Sequence, residues 1–172
     1  VRNNARGFSL IELIVVIAIL GVFFGLFGFN YNRATERAQL RSATAELRSL
    51  IDLTRHNTLA GLVPEECSLA NFQGYGLIFD LYAEEVTQYS LCNNLRTIIS
   101  TFGFSKHPHI EIKTFTKPEV YFIKGTAELL DGAGAKTTQT IKLENTRTSE
   151  CSAITINQFG LLSTDESVSC TL

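Results

Sequence analysis

The chain has 172 residues, with 15 Lys and Arg against 17 Asp and Glu, a net charge of −2, and neither Met nor Trp. That balance is partitioned: residues 1–30 carry +1, residues 31–60 carry +2 and residues 61–172 carry −5. An acidic C-terminal portion excludes a general attraction to nucleic acid or to an anionic membrane surface.

The first predicted element is the run from Phe8 to Phe29, in which only Ser9 and Glu12 are polar. As a helix it would extend about 33 Å, so the reading is a transmembrane span. Ala5-Arg6-Gly7 precedes the run instead of following it, which makes the run a retained segment and not a secretory signal core. Glu12 is out of place there, because a carboxylate inside such a span costs about 2.5–3.5 kcal/mol. Two compensations are open: the helix N-terminus close by, or a free α-amine created by a cut between Gly7 and Phe8. Arg2 and Arg6 on one flank face Arg33, Arg37 and Arg41 on the other, so charge alone leaves the orientation ambiguous.

From Tyr31 the helix is expected to continue, since Asn32 to Ala60 contains neither Pro nor Gly and is rich in Ala, Leu, Arg and Glu. Leu40, Ala43, Leu47, Leu50, Ile51 and Thr54 recur at three- and four-residue spacing, with Arg37, Arg41, Arg48, Asp52 and Arg55 largely off the centre of that stripe. The stripe predicts packing on a sheet, and Gly61 with Val63-Pro64 gives the stop.

Beyond Pro64 the period changes. Gly74 to Tyr82 and Val86 to Cys92 read as a hairpin around Ala83-Glu84-Glu85. Asn93 to Lys106 reads as loop with a helical turn. Ile110 to Phe115, Val120 to Lys124, Thr138 to Leu143 and Ala153 to Asn157 are further strands, and Gln158-Phe159-Gly160 turns the chain into Leu161 to Ser163. The domain plan is residues 1–7 as leader, 8–30 as transmembrane and assembly helix, 31–62 as amphipathic stalk and 63–172 as a β head.

Cys67, Cys92, Cys151 and Cys170 all fall in the head, without a CxxC or a nearby His pair, so disulfides are expected before zinc. Three connectivities are open. Cys67 with Cys92 and Cys151 with Cys170 is favoured, because each closes a loop of roughly 20 residues worth about 3 kcal/mol. His107 and His109 flank Pro108, but no third ligand stands at recognisable spacing, and no GxSxG elbow is present. Thr164-Asp165-Glu166-Ser167 offers few carboxylates for a calcium cage. No cofactor, metal or catalytic residue is expected.

Gly7-Phe8-Ser9-Leu10-Ile11-Glu12-Leu13, with Arg6 before it and an apolar run after it, resembles the class III signal of type IV pilins and type II secretion pseudopilins. The resemblance implies cleavage by prepilin peptidase between Gly7 and Phe8, N-methylation of Phe8, and a role for Glu12 as the assembly carboxylate that pairs with the N-terminus of a neighbouring subunit. Many family members carry a helix-melting Pro where this chain has only Gly21, Gly25 and Gly28.

The implied fold is α+β and pilin-like: a long N-terminal α-helix, transmembrane in its first half and amphipathic in its second, packed on a C-terminal antiparallel β-sheet head. Cys67 before the GYG strand, Tyr89 to Cys92, and Ile154-Thr155-Ile156-Asn157 followed by Gly160 look like the H-type minor pseudopilins, the GspH/FimT group. The implied function is that of a structural subunit of a type II secretion or type IV pilus-like filament. Its implied place is the bacterial inner membrane, single-pass, with the head extracytoplasmic. Expected partners are other pilins or pseudopilins through the N-terminal helix, prepilin peptidase, and inner-membrane lipid before assembly. FimT-like members that bind DNA use basic residues near the C-terminus, whereas residues 157–172 hold no Lys or Arg. A DNA-uptake subunit, with a patch from Lys106, Lys113, Lys117 and Lys124, is therefore the alternative, and a membrane-anchored extracytoplasmic binding domain the second.

Overall fold

The computed structural model describes residues 10–65 and 67–170, with the side chains of residues 24–31 and 167 outside the described set. Contacts divide the chain into two units, Val1–Glu36 and Arg37–Leu172. Helix α1, Leu10–Leu59, is the first element and enters both.

In the first unit, α1 shows an apolar surface on all sides from Leu10 to Phe23, its side chains exposed throughout. Among the described residues no helix is long and apolar enough to cross a membrane. This corrects the expected transmembrane half of the helix, and with it the single-pass inner-membrane placement and lipid as a first partner. The expectation rested on the apolar composition of Phe8 to Phe29 alone, and α1 continues beyond it as an amphipathic helix.

In the second unit, the rest of α1 packs on nine strands among the described residues. One sheet has the order β3-β2-β1-β5-β6, built from β1 (Phe72–Asp80), β2 (Glu85–Cys92), β3 (Leu95–Gly103), β5 (Glu119–Ile123) and β6 (Leu129–Asp131). The other has the order β4-β7-β8-β9, from β4 (Ile110–Phe115), β7 (Gln139–Asn145), β8 (Glu150–Ile156) and β9 (Leu162–Val168). All strand pairs are antiparallel. The head thus has two sheets where one was expected; β3 occupies a segment read as loop with a helical turn, and β6 lies in a segment given no strand reading. A single 3₁₀ turn, Phe104–Lys106, follows β3.

The helical stripe lies where its period puts it. Leu40, Ala43, Leu47 and Ile51 are buried in one cluster with Leu77, Phe79, Val86, Val120 and Phe122 of the first sheet and Ile112, Ile141, Leu143, Ile154 and Ile156 of the second. Thr54, Gln88 and Ser100 are paired within this layer, as burial of polar atoms favours. Thr54 Oγ1 donates to the Leu50 carbonyl at 2.7 Å and accepts from Gln88 Nε2 at 3.0 Å, and Ser100 Oγ donates to Gln88 Oε1 at 2.9 Å. This chain of bonds ties α1 to β2 and β3.

On the opposite face of the first sheet, the central strand carries glycine where its neighbours carry rings. Gly76 lies between Tyr89 of β2 and Tyr121 of β5 in register. A Cβ at Gly76 would collide with the Tyr89 ring, and one at Gly74 (φ +152) with the Phe122 carbonyl oxygen. The two glycines let β1 sit against its neighbours closely enough for Tyr89 to lie flat across it.

Candidate functional site

Of the signal residues, Gly7 and Phe8 lie outside the described residues. Glu12 stands in the first turn of α1 on an exposed surface, among exposed Leu10, Ile11, Leu13 and Ile14. Acidic residues suit the first turn because the unpaired backbone N–H groups make it electropositive. Exposed apolar surface of this extent is uncommon on monomeric proteins.

Two groups of charged side chains in the Arg37–Leu172 unit have partners that sequence spacing does not announce. The first is on the outer face of the β3-β2-β1-β5-β6 sheet. The Tyr89 hydroxyl donates to Glu119 Oε1 at 2.7 Å, Arg96 pairs with Glu119 Oε2 at 2.8 Å, and the Arg96 guanidinium lies 5.7 Å from the Tyr89 ring centre. Burial first, and then the hydrogen bond to Glu119, push the Tyr89 phenol well above its ordinary range, so it stays a donor. A cavity of about 260 Å³ opens beside this cluster, walled by Asn94, Tyr121 and Gly132 to Gly134. A second, of about 230 Å³, shares Leu91, Asn94 and Tyr121 with it.

The second group is a row on α1. Arg37 bonds Glu150 of β8 through Nε at 2.8 Å and Nη2 at 2.7 Å, Arg41 Nε bonds Glu166 of β9 at 2.9 Å, and Arg48 Nη1 donates to Thr164 Oγ1 at 3.0 Å. Spacings of four and seven residues keep the three arginines on one side of the helix. The hydrogen bond to Glu150 raises the Arg37 pKa. Thr164 and Glu166, weighed above as oxygen ligands, therefore face cations supplied by the helix.

The other residues weighed for chemistry are dispersed. His107 is buried, with Nε2 3.1 Å from Glu46 Oε1, while His109 is exposed at φ +75. Cys67 is bonded to Cys92 and Cys151 to Cys170, with Cα separations of 6.0 and 5.4 Å. Among the described residues, the group arranged like metal ligands is Glu144 with Cys151 and Cys170. The last two are joined to each other and have no thiolate to offer.

Lys113 pairs with Glu144 at 2.6 Å, Lys117 with Asp131 at 3.2 Å, and Lys124 donates to the Leu69 carbonyl at 2.7 Å. They stand on different sheets or connections and do not form one basic face. The Asp131 carboxyl is held below the ordinary range first by the Ala135 backbone N–H and then by Lys117. Its stabilising contribution is complete above about pH 3.9, the ordinary carboxylate value, and is lost as pH falls through the lowered folded value. Asp131→Asn should therefore melt below the parent at neutral pH and converge with it as the solution is acidified, which thermal melts across pH 2–7 would check.

Residues 2–27 match the family described as the prokaryotic N-terminal methylation motif. No curated protein matches the chain. Among solved structures, the minor pseudopilin EpsH from the type 2 secretion system of Vibrio cholerae superposes with a TM-score of 0.54 at 10% identity. That superposition covers 74% of this chain and 97% of the other. Residues 2–27 are thus similar to a prokaryotic N-terminal methylation motif, and the chain shares a fold with the EpsH minor pseudopilin.

Proposed function

We propose that the chain is a minor pseudopilin-like subunit of H type, the GspH/FimT kind, built into a type II secretion or type IV pilus-like filament. Prepilin peptidase cuts between Gly7 and Phe8, the new Phe8 amine is methylated, and other pilins or pseudopilins pack on the helix that follows. The observation that carries this reading is the position of the motif. Residues 2–27 include the exposed apolar helical surface of residues 10–23, and the same helix contributes Leu40, Ala43, Leu47 and Ile51 to the core of a head with a pilin-like fold. The chemistry is done to the chain, and the head provides contacts.

The DNA-uptake alternative has less support, because three of its four lysines, Lys113, Lys117 and Lys124, are engaged within the head, Lys106 stands apart at the end of the 3₁₀ turn, and residues 157–172 carry no cation. Phosphate contacts need available Lys or Arg. The proposed function is tested by the N-terminus that the cell leaves on the chain, Phe8 or an earlier residue.

A further inference from the structure

The two cavities on the outer face of the first sheet adjoin. The one of about 260 Å³ and its neighbour of about 230 Å³ share Leu91, Asn94 and Tyr121 as walls, so together they form a trough. The trough exists because β1 offers glycine there: Gly76 stands in register between Tyr89 and Tyr121. Tyr89 fills the space above Gly76 and is itself buried, while Tyr121 stays half-exposed.

The chemistry of the walls excludes most classes of occupant. Arg96 and Glu119 compensate each other at 2.8 Å, so neither an anion nor a cation finds an unmatched charge. Arg96 already takes the cation position near the Tyr89 ring, 5.7 Å from its centre. A metal ion would find a single carboxylate, Glu119, among the described residues of the wall, too few for a cage. A peptide strand would find no open backbone, because β1, β2 and β5 each pair on both sides. A wholly apolar ligand would strip water from Asn94, Arg96 and Glu119 without replacing its hydrogen bonds.

The groups left over are uncharged. Among the described residues, the Tyr121 hydroxyl has no hydrogen-bond partner within the protein, and a Cβ on Gly134 would lie 3.5 Å from it. Asn94 Oδ1 accepts from Gln73 Nε2 at 3.1 Å, which leaves the Asn94 amide N–H donors unused.

We infer that this trough binds a neutral saccharide of one or two rings. A sugar hydroxyl both donates and accepts, so neighbouring hydroxyls serve the Asn94 amide, the spare Arg96 N–H groups and the remaining Glu119 lone pairs together. The C–H face of the sugar then lies on the half-exposed Tyr121 ring. Gly132, Ala133 and Gly134 keep the rim free of long side chains. A few placed polar groups beside aromatic surface is the usual make-up of a ligand site. The apolar surface of residues 10–23 takes no part, so the inference stands apart from the proposed filament role.

The test is saturation-transfer NMR on the full-length chain, held in a detergent with no sugar head group. The probes are cellobiose, maltose, lactose and N,N′-diacetylchitobiose, each at about 10 mM, enough to load a site of millimolar affinity. At least one should receive saturation on its ring C–H protons. Tyr121→Ala removes the ring, and Asn94→Asp keeps the acceptor for Gln73 while removing the donors. Each should weaken binding of that sugar by about fivefold or more. Melting at the parent temperature shows that the head is intact, and Tyr121→Phe, which deletes only the hydroxyl, stands in if the alanine variant melts lower. Absence of transfer to all four sugars would overturn the inference. So would transfer that the variants leave unchanged, or tighter binding of glucose 6-phosphate or choline than of any of the four, since the site would then be built for a charge.

Discussion

Leu47→Ala is expected to lower the stability of the Arg37–Leu172 unit by about 2–5 kcal/mol, the usual cost of emptying a packed leucine site. Leu47 is fully buried, in the cluster that joins α1 to both sheets. The neighbouring site has little room to collapse, because Ala43 and Ile51, one turn away on either side, are also fully buried. Such a loss is a large part of the roughly 5–15 kcal/mol that holds a typical domain together. Leu53→Ala is the control: Leu53 lies on the same helix but is 52% exposed, and its truncation should cost within about 0.5 kcal/mol. Denaturant unfolding with both disulfides intact, followed by tyrosine fluorescence because the chain has no Trp, would separate the two. Equal costs would mean that α1 is not part of the head's core.

The second large effect concerns Glu12. On the proposed function, Glu12→Ala should remove the chain from filaments, with recovery in the sheared filament fraction falling by more than about tenfold, because leaving the opposing charge buried and unpaired is strongly destabilising. The argument is one of register. Leu10, Ile11, Leu13 and Ile14 form an apolar surface that can slide against another such surface at little cost. A carboxylate among them accepts only the register that gives it a cation. Glu12 belongs to the Val1–Glu36 unit, so the melting temperature of the head should be unchanged, and a shift there would show that the variant acts through folding. Normal recovery of Glu12→Ala would remove the assembly role.

How far the fold was legible in the sequence depended on whether side-chain period matched burial. The stripe of Leu40, Ala43, Leu47, Ile51 and Thr54 could be read because a helix buries residues three and four apart. The β1–β2 hairpin could be read because aromatic and β-branched residues crowd Gly74 to Tyr82 and Val86 to Cys92 on either side of Ala83-Glu84-Glu85. β3 could not. As an edge strand it turns Leu95, Ile98 and Ile99 outward, and the bulge at Ile99 breaks its alternation. β6 is three residues between turn formers, too short to show a period. The expected membrane span rested on the apolar composition of Phe8 to Phe29 alone, whereas among the described residues no helix is long and apolar enough to cross a membrane.

The Tyr89–Arg96–Glu119 cluster was invisible because its members meet only through strand register. Tyr89 crosses the bare backbone of Gly76 to reach Glu119 on the far side of β1. The arginine row on α1 was half legible. The spacing of Arg37, Arg41 and Arg48 was plain, but their partners, Glu150, Glu166 and Thr164, lie more than a hundred residues away. Nothing local indicates which strand receives them.

The most direct measurement is the intact mass of the chain, with sequencing of its first residue, after expression in a cell that has a prepilin peptidase. The account predicts a chain that begins at Phe8, lacks residues 1–7 and carries one methyl group on its α-amine. A mass that retains residues 1–7 would contradict it.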